Sequence, residues 1–345
     1  MKVVVANNMA PFVHGGAEEL ALHLVRRLGE RGHEVELLRV PFRWEPYAVL
    51  PKQIAIAQEL SLDQADTVIA LKFPAYLIPH QNKRVWLLHQ YRQAYDLYAT
   101  GYSNIPAGLD GDLVRESIVA ADNRAFDSSR RLFTNSPITS ARLHTFNGID
   151  SEVLYPPLND PELFFSQKSQ PYIFAGGRVN AMKRQELLIR ALAKTPEAVR
   201  LVIAGPPDDA HSARVLRDLA AQLNVSHRVT LELRFCERSE IANWVNHAAA
   251  CAYIPYDEDS LGYVAMEAAQ ARKAVITLSD SGGVLGLVRD GETGWVAEPE
   301  VDSVAEAMTS AISRPREARN RGEAMHARWL SFGANWDQTL DRLVG

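Results

Sequence analysis

The sequence predicts an α/β protein made of two doubly wound halves, each a parallel sheet wrapped by helices. Three observations carry this. Apolar runs of strand length alternate with segments of helical period, and the alternation occurs twice. A proline-rich break, Tyr155 to Pro161 followed by a polar stretch to Pro171, separates the two series and has the composition of a linker. The 345 residues also exceed the roughly 250–300 at which a single core stops growing.

In the first half the expected strands are Val3–Ala6, Val35–Val40, Thr67–Leu71, Val85–Leu88 and Arg131–Thr134. Between the first two, Leu20, Leu24, Val25 and Leu28 share one face of a helix that Gly32 ends. In the second half the strands are Tyr172–Ala175, Leu201–Ala204, Val229–Leu233, Ala249–Ile254, Ala274–Leu278 and Trp295–Ala297. The last segment, Phe332 to Val344, reads as a short amphipathic helix with Trp336, Leu340 and Leu343 on one side. The expected divisions are residues 1–157, residues 158–330 and a terminal helix over 331–345.

Composition is that of an ordinary globular protein, with 47% hydrophobic and 23% charged residues. A net charge of -5 offers no global attraction to nucleic acid or anionic lipid. No apolar run approaches the roughly 20 residues that span a bilayer, so any membrane contact would be peripheral. The chain opens directly on a strand, and no signal peptide is expected. Cys236 and Cys251 lie in or beside apolar runs without metal-ligand spacing, which reads as reduced packing residues in a cytoplasmic protein.

The chemistry is concentrated where the apolar run Ala248–Ile254 ends at Pro255. Asp257, Glu258 and Asp259 follow, then Ser260, Leu261, Gly262 and Tyr263, and then a helix with Val264, Ala265, Ala268 and Ala269 at helical spacing. In an open parallel sheet such a strand-to-helix turn lies at the carboxyl ends of the strands, where ligands bind. Asp259 and Glu267, with seven residues between them, can then face one ligand from the loop and from the helix. Taken alone, the acidic run is equally a solvated loop, with Glu267 near a helix start where the dipole favours it.

This segment resembles the signature of retaining glycosyltransferase family 4, which usually reads Glu, seven residues, Glu, with Gly-Phe-Gly after the first carboxylate. Here Asp259 takes the first position, Ser260 to Tyr263 replace the glycine-rich run, and Glu258 is an alternative first carboxylate. The resemblance implies the GT-B fold, two Rossmann-like doubly wound domains facing a central cleft, with the carboxyl-terminal helix crossing back to the first domain. Further segments agree with it. Gly15 and Gly16, followed by Glu18 and Glu19, form a glycine turn at a helix start, a place suited to a phosphate and similar to the family's Gly-Gly-x-Glu loop. His14 is a further candidate there. Gly176 and Gly177 precede Arg178 and Lys183, two basic residues five apart that could stabilise charge on a diphosphate leaving group. His89 follows a strand of the first half, where related enzymes have a histidine that contacts the donor sugar. Gly205, Gly282 with Gly283, and the segment Asp290 to Trp295 resemble further turns of the family.

The expected function is therefore a retaining, metal-independent glycosyltransferase that needs no cofactor. Its donor would be a nucleoside diphosphate sugar, a UDP- or GDP-sugar, and its acceptor a glycan, a small molecule or, by the family, a lipid-linked sugar. By resemblance, Glu267 binds the ribose and Asp259 or Glu258 the donor sugar. Gly15, Gly16, Arg178, Lys183, Ser260, Leu261, Gly262 and Tyr263 hold phosphate and sugar, and His89 acts with Asp259 at the reacting centre. Two alternatives remain open: a GT-B epimerase or phosphorylase, and a catalytically silent partner that binds the nucleotide sugar. The tyrosine-rich segment from His89 to Asp112 lines the acceptor side or is an ordered loop packed on its domain.

Overall fold

A computed structural model describes residues 1–11, 15–98 and 100–345. The chain divides into two compact units, Met1–Pro157 together with Ala334–Gly345, and Leu158–Gly333. Among the described residues each unit contains one sheet of six parallel strands. Parallel sheets need helices on both faces, so their strands are apolar nearly throughout, which is why they stand out in the sequence.

In the first unit the strands are β1 (Lys2–Met9), β2 (Glu34–Pro41), β3 (Thr67–Ala70), β4 (Lys83–Leu87), β5 (Arg131–Thr134) and β6 (Glu152–Val153), in the order β2-β1-β3-β4-β5-β6. β6 is only two residues long and has no period that a sequence reading could detect. Helix α1 (Gly16–Glu30) buries Leu20, Leu24 and Leu28 on one face of the sheet with Val3, Val5, Trp86 and Phe133. Helices α2 (Leu50–Gln58) and α3 (Leu109–Asp127) cover the other face, where Leu50, Ile54, Ile118 and Phe126 pack. Helix α4 (Pro137–Asn147) starts at a Ser136 cap whose side chain accepts from the Thr139 amide, with proline in the first turn.

The terminal helix α11 (Trp336–Val344) completes this unit. It begins four residues later than the hydrophobic pattern suggested, because Phe332 and Gly333 end the preceding helix and Asn335 caps the new one by accepting from the Gln338 amide. Trp336, Leu340 and Leu343 join the apolar cluster of α1. Arg31 of α1 pairs with Asp337 at 2.9 Å and Asp341 at 2.5 Å, and Arg84 donates to the Leu343 carbonyl at the end of α11.

In the second unit the elements are β7 (Tyr172–Gly176), α5 (Gln185–Leu192), β8 (Arg200–Ala204), α6 (Ala210–Gln222), β9 (Val229–Glu232), α7 (Arg238–His247), β10 (Ala250–Ala252), α8 (Tyr263–Gln270), β11 (Val275–Leu278), β12 (Gly294–Ala297), α9 (Val301–Ser313) and α10 (Pro315–Ser331). The order is β12-β11-β10-β7-β8-β9, so the chain winds outward from β7 in one direction and from β10 in the other. Ile173 and Ala175 face a core with Leu188, Leu216 and Met308, while Phe174 stacks on Trp244 of α7, their ring centroids 5.9 Å apart.

The polar stretch that precedes β7 is strapped to this unit rather than spanning as a free tether. Asn246 accepts from the Phe165 amide and donates to the Leu163 carbonyl, and Lys273 donates to the Gln167 carbonyl and the Ser169 hydroxyl. Both cysteines are buried and reduced. Among the described residues no helix is long and apolar enough to cross a membrane.

The packing of α11 gives a first test. Leu343→Ala is expected to destabilise the protein by about 2–5 kcal/mol through the cavity it leaves. Arg31→Ala, which removes ion pairs to exposed aspartates, is expected to lose less than about 1 kcal/mol. Urea denaturation followed by tryptophan fluorescence measures both.

Candidate functional site

The strand order of the second unit reverses between β7 and β10, and the loops leaving the carboxyl ends of two such neighbouring strands diverge to opposite sides of the sheet. That divergence opens the crevice in which doubly wound sheets bind ligands. The loops after β7, β10 and β11 meet there, and Arg184 joins them. Its guanidinium forks onto Asp280, with nitrogen-to-oxygen distances of 2.7 and 2.8 Å, and donates to the carbonyls of Ile254 (2.9 Å) and Pro255 (2.5 Å). The residue itself sits at φ +54°, a left-handed conformation that non-glycine residues seldom adopt. The tip of the β10 loop is further knitted to the β11 loop. The Asp257 amide donates to the Asp280 carbonyl (2.8 Å), and the Gly283 amide to that of Glu258 (2.7 Å).

Lys183 projects from this frame. The Asn180 side chain caps the turn that carries it by accepting from its amide. Its ammonium donates to Glu258 Oε1 at 2.7 Å and to the Tyr253 hydroxyl at 3.1 Å. Burial opposes the charge on Lys183, but Tyr253 and Glu258 outweigh it and hold the lysine above its ordinary value. Burial likewise pushes the Tyr253 phenol up. Asp259, one residue beyond Glu258, is buried at 4% exposure, whereas Glu258 is half-buried and spent on the lysine. The two carboxylates that the sequence left interchangeable thus occupy different environments.

Gly262 ends the loop and opens α8 at φ +79°, and a Cβ there would lie 2.2 Å from the Tyr253 ring. Gly282 plays the same part opposite, at φ +76° with a would-be Cβ 2.3 Å from the Glu258 carbonyl. These glycines are required by close approach, which explains why the loop tolerates Ser260, Leu261 and Tyr263 at its other positions. Leu261 is buried, and Ser260 and Tyr263 are half-buried.

Glu267, in the second turn of α8, is also buried at 4% exposure. Burial pushes its carboxyl up, against the pull of Arg238, which donates to Glu267 Oε1 from the first position of α7. Arg178 forms a half-exposed pair with Asp208 at 3.3 Å. The second unit therefore brings Arg178, Lys183, Glu258, Asp259, Gly262 and Glu267 to the carboxyl-terminal edge of one sheet. Each of the three cations Lys183, Arg184 and Arg238 already meets a carboxylate.

The remaining candidates lie in the first unit. Gly15 is the cap of α1 and Gly16 its first residue; His14 lies outside the described residues. His89 follows β4, half-buried, and its Nδ1–H donates to the Gln90 carbonyl at 2.6 Å. Of the tyrosine-rich segment, Tyr91 and Tyr95 pack inside the unit. Tyr95 donates to the fully buried Asp122, whose carboxyl is pushed up to about 7 by burial against the bond from Tyr95, while Tyr102 is exposed.

Arg184, Arg238, Tyr253 and Asp280 were not singled out from the sequence as site residues. Arg184 adjoins Lys183, so proximity was a usable signal. For Arg238 the only local mark is the reciprocal cap of Glu237 and Glu240, which signals a helix start at residue 238 and nothing about a partner 29 residues away.

Residues 159–328 match the family of glycosyl transferases group 1. The second unit is similar in sequence to the group 1 glycosyl transferases. The match takes in nearly all of the second unit and every residue of the crevice described above. A D-inositol 3-phosphate glycosyltransferase of Mycolicibacterium smegmatis is 29% identical over 240 residues, which are 65% of this chain and 54% of that protein. The chain spans about half the length of the curated relatives it matches. Among solved structures, sucrose-phosphate synthase from Thermosynechococcus elongatus matches with TM-score 0.78 at 17% identity, over 99% of this chain and 96% of that one. HepE from Anabaena, in complex with UDP and glucose, matches with TM-score 0.75 at 17% identity over 99% of both chains. The fold is that of the GT-B glycosyltransferases, as the sequence predicted.

The glycine geometry is testable. Gly262→Ala is expected to destabilise the protein by about 1–3 kcal/mol, since it combines a left-handed conformation with a clash against Tyr253. Differential scanning calorimetry reads the loss, and Gly29→Ala, where a Cβ meets open space in α1, serves as the control.

Proposed function

We propose that the protein is a retaining, metal-independent glycosyltransferase of family 4 type that transfers a sugar from a nucleoside diphosphate sugar to a hydroxyl acceptor. The observation that carries this is the cluster at the β7–β10 reversal, where Lys183, Glu258, the buried Asp259 and the buried Glu267 share one crevice within the segment that matches the group 1 family. The donor assigned is a UDP- or GDP-sugar; HepE, which shares the fold, holds UDP and glucose.

As the bond from the anomeric carbon to the distal phosphate breaks, charge builds on the leaving diphosphate. Lys183 supplies a compact cation for it and Arg178 a planar fork, in the role a metal ion takes in other transferases. An ammonium has three donors, and Tyr253 and Glu258 take two, which leaves the third for an incoming phosphate oxygen. The amides of Gly262 and Tyr263 at the start of α8 favour the same anion. Glu267 takes the ribose hydroxyls, and Asp259 steadies positive charge near the anomeric carbon. The acceptor oxygen then bonds to that carbon on the face the diphosphate leaves, and its proton passes to the departing phosphate oxygen. The acceptor is assigned to the first unit, with His89 as the residue that orients the reacting sugar.

The test is donor binding by thermal shift against UDP-, GDP-, ADP- and TDP-sugars, with and without EDTA. One donor at a hundred times its Kd is expected to stabilise the protein by about 2.7 kcal/mol regardless of EDTA. Lys183→Ala and Glu267→Ala should abolish the shift, and His89→Ala should keep it while lowering turnover about a hundredfold. No shift with any donor would overturn the assignment. Binding without product across glycan, lipid-linked and small-molecule acceptors would favour a silent partner, the alternative suggested by Asp259 standing where the family has glutamate.

A further inference from the structure

Glu267 poses a physical problem. A carboxylate at 4% exposure is costly to ionise, yet only the ionised form accepts from both hydroxyls of a ribose with both its oxygens. Arg238 answers it from a separate element. One of its nitrogens donates to Glu267 Oε1, and another donates to the Asn159 carbonyl at 2.8 Å. The guanidinium lies over the ring of the buried Phe164, 4.6 Å from its centroid. The arginine, on α7, is thus held by three partners drawn from α8 and the segment that opens the second unit, and it takes one defined oxygen of the carboxylate. Oε1 keeps a second lone pair beside that bond, so both oxygens can still accept from ligand hydroxyls.

We infer that Arg238 is a positioning residue of the donor site, which clamps Glu267 for the ribose hydroxyls of the nucleotide. The inference rests on the donor assignment above and adds to it the group that makes the buried carboxylate usable. Without Arg238, burial acts on Glu267 unopposed and its carboxyl moves up. The charged and titratable groups around it are Arg238 of α7 and the buried Cys251 of β10, whose thiol burial pushes up to about 12. Lys273 follows α8, and His326 of α10 bonds to the Ala269 carbonyl. Of these, Arg238 alone pairs with the carboxylate among the described residues.

The sign follows directly. Donor binding needs the ionised carboxylate, so a raised Glu267 weakens affinity below its shifted value and restores it as pH climbs past. In the native protein the Arg238 pair opposes that rise, so affinity falls less steeply toward low pH than it does without the arginine.

The experiment measures donor Kd by calorimetry from pH 6 to 8.5, using the sugar nucleotide that stabilises the native protein. Arg238→Met is expected to bind at least tenfold more weakly at pH 6 than at pH 8.5. Arg238→Lys should restore the native profile at reduced affinity, and Glu267→Gln combined with Arg238→Met should be weak and flat, which assigns the dependence to Glu267 rather than His326. Arg238→Gln, which keeps a donor without charge, replaces the methionine variant if that one does not fold. A profile no steeper than that of the native protein in whichever uncharged variant folds overturns the inference, as does a dependence that survives in the double variant. Failure of the native protein to bind any sugar nucleotide is a separate result and overturns the donor assignment instead.

Discussion

The arrangement of the crevice depends on the Arg184 guanidinium. It reaches from the end of the β7 loop to two carbonyls of the β10 loop and to the Asp280 carboxylate of the β11 loop. Loops at a strand-order reversal diverge by topology, so something must bring their far ends back together if they are to surround one ligand. A planar fork with five donors does this where a lysine could not, because it meets partners in several directions at once. Lys183, adjacent to it, is thereby delivered to Glu258 and Tyr253, and the glycines at 262 and 282 let the loops close to contact distance.

Charge compensation runs through the same region. Lys183 faces Glu258, Arg184 faces Asp280 and Arg238 faces Glu267. Pairs of this kind contribute little net stability when partly buried, because desolvation offsets most of the attraction. Their value is geometric: each pair fixes the direction of a cation and a carboxylate at the carboxyl-terminal edge of the sheet. The first unit shows the opposite use of buried polarity. There Asp122 and Tyr95, linked onward through Asn147 to Gln90, tie α3 and α4 to the loop that carries His89. That network holds a loop shape and leaves the tyrosines packed inward.

What the amino-acid sequence determined by itself was whatever is carried by local period and local turn chemistry. The paired parallel sheets were legible because the inner strands, covered on both faces, are largely apolar, and α1 because its leucines recur every four residues. The cluster of Lys183, Glu258, Asp259 and Glu267 was legible because a glycine turn with charged residues at a strand end is itself a chemical signal. Tertiary structure alone decided which carboxylate meets the lysine, since one residue along a tight loop reverses the direction of a side chain. It also decided that the polar segment after Pro161 is bound down by Asn246 and Lys273, and that α11 starts only at Trp336. Above all it decided the partners of Arg184 and Arg238. Those lie up to 97 residues away along the chain, and a hydrogen bond across that separation exists only once the sheet has set its strands side by side.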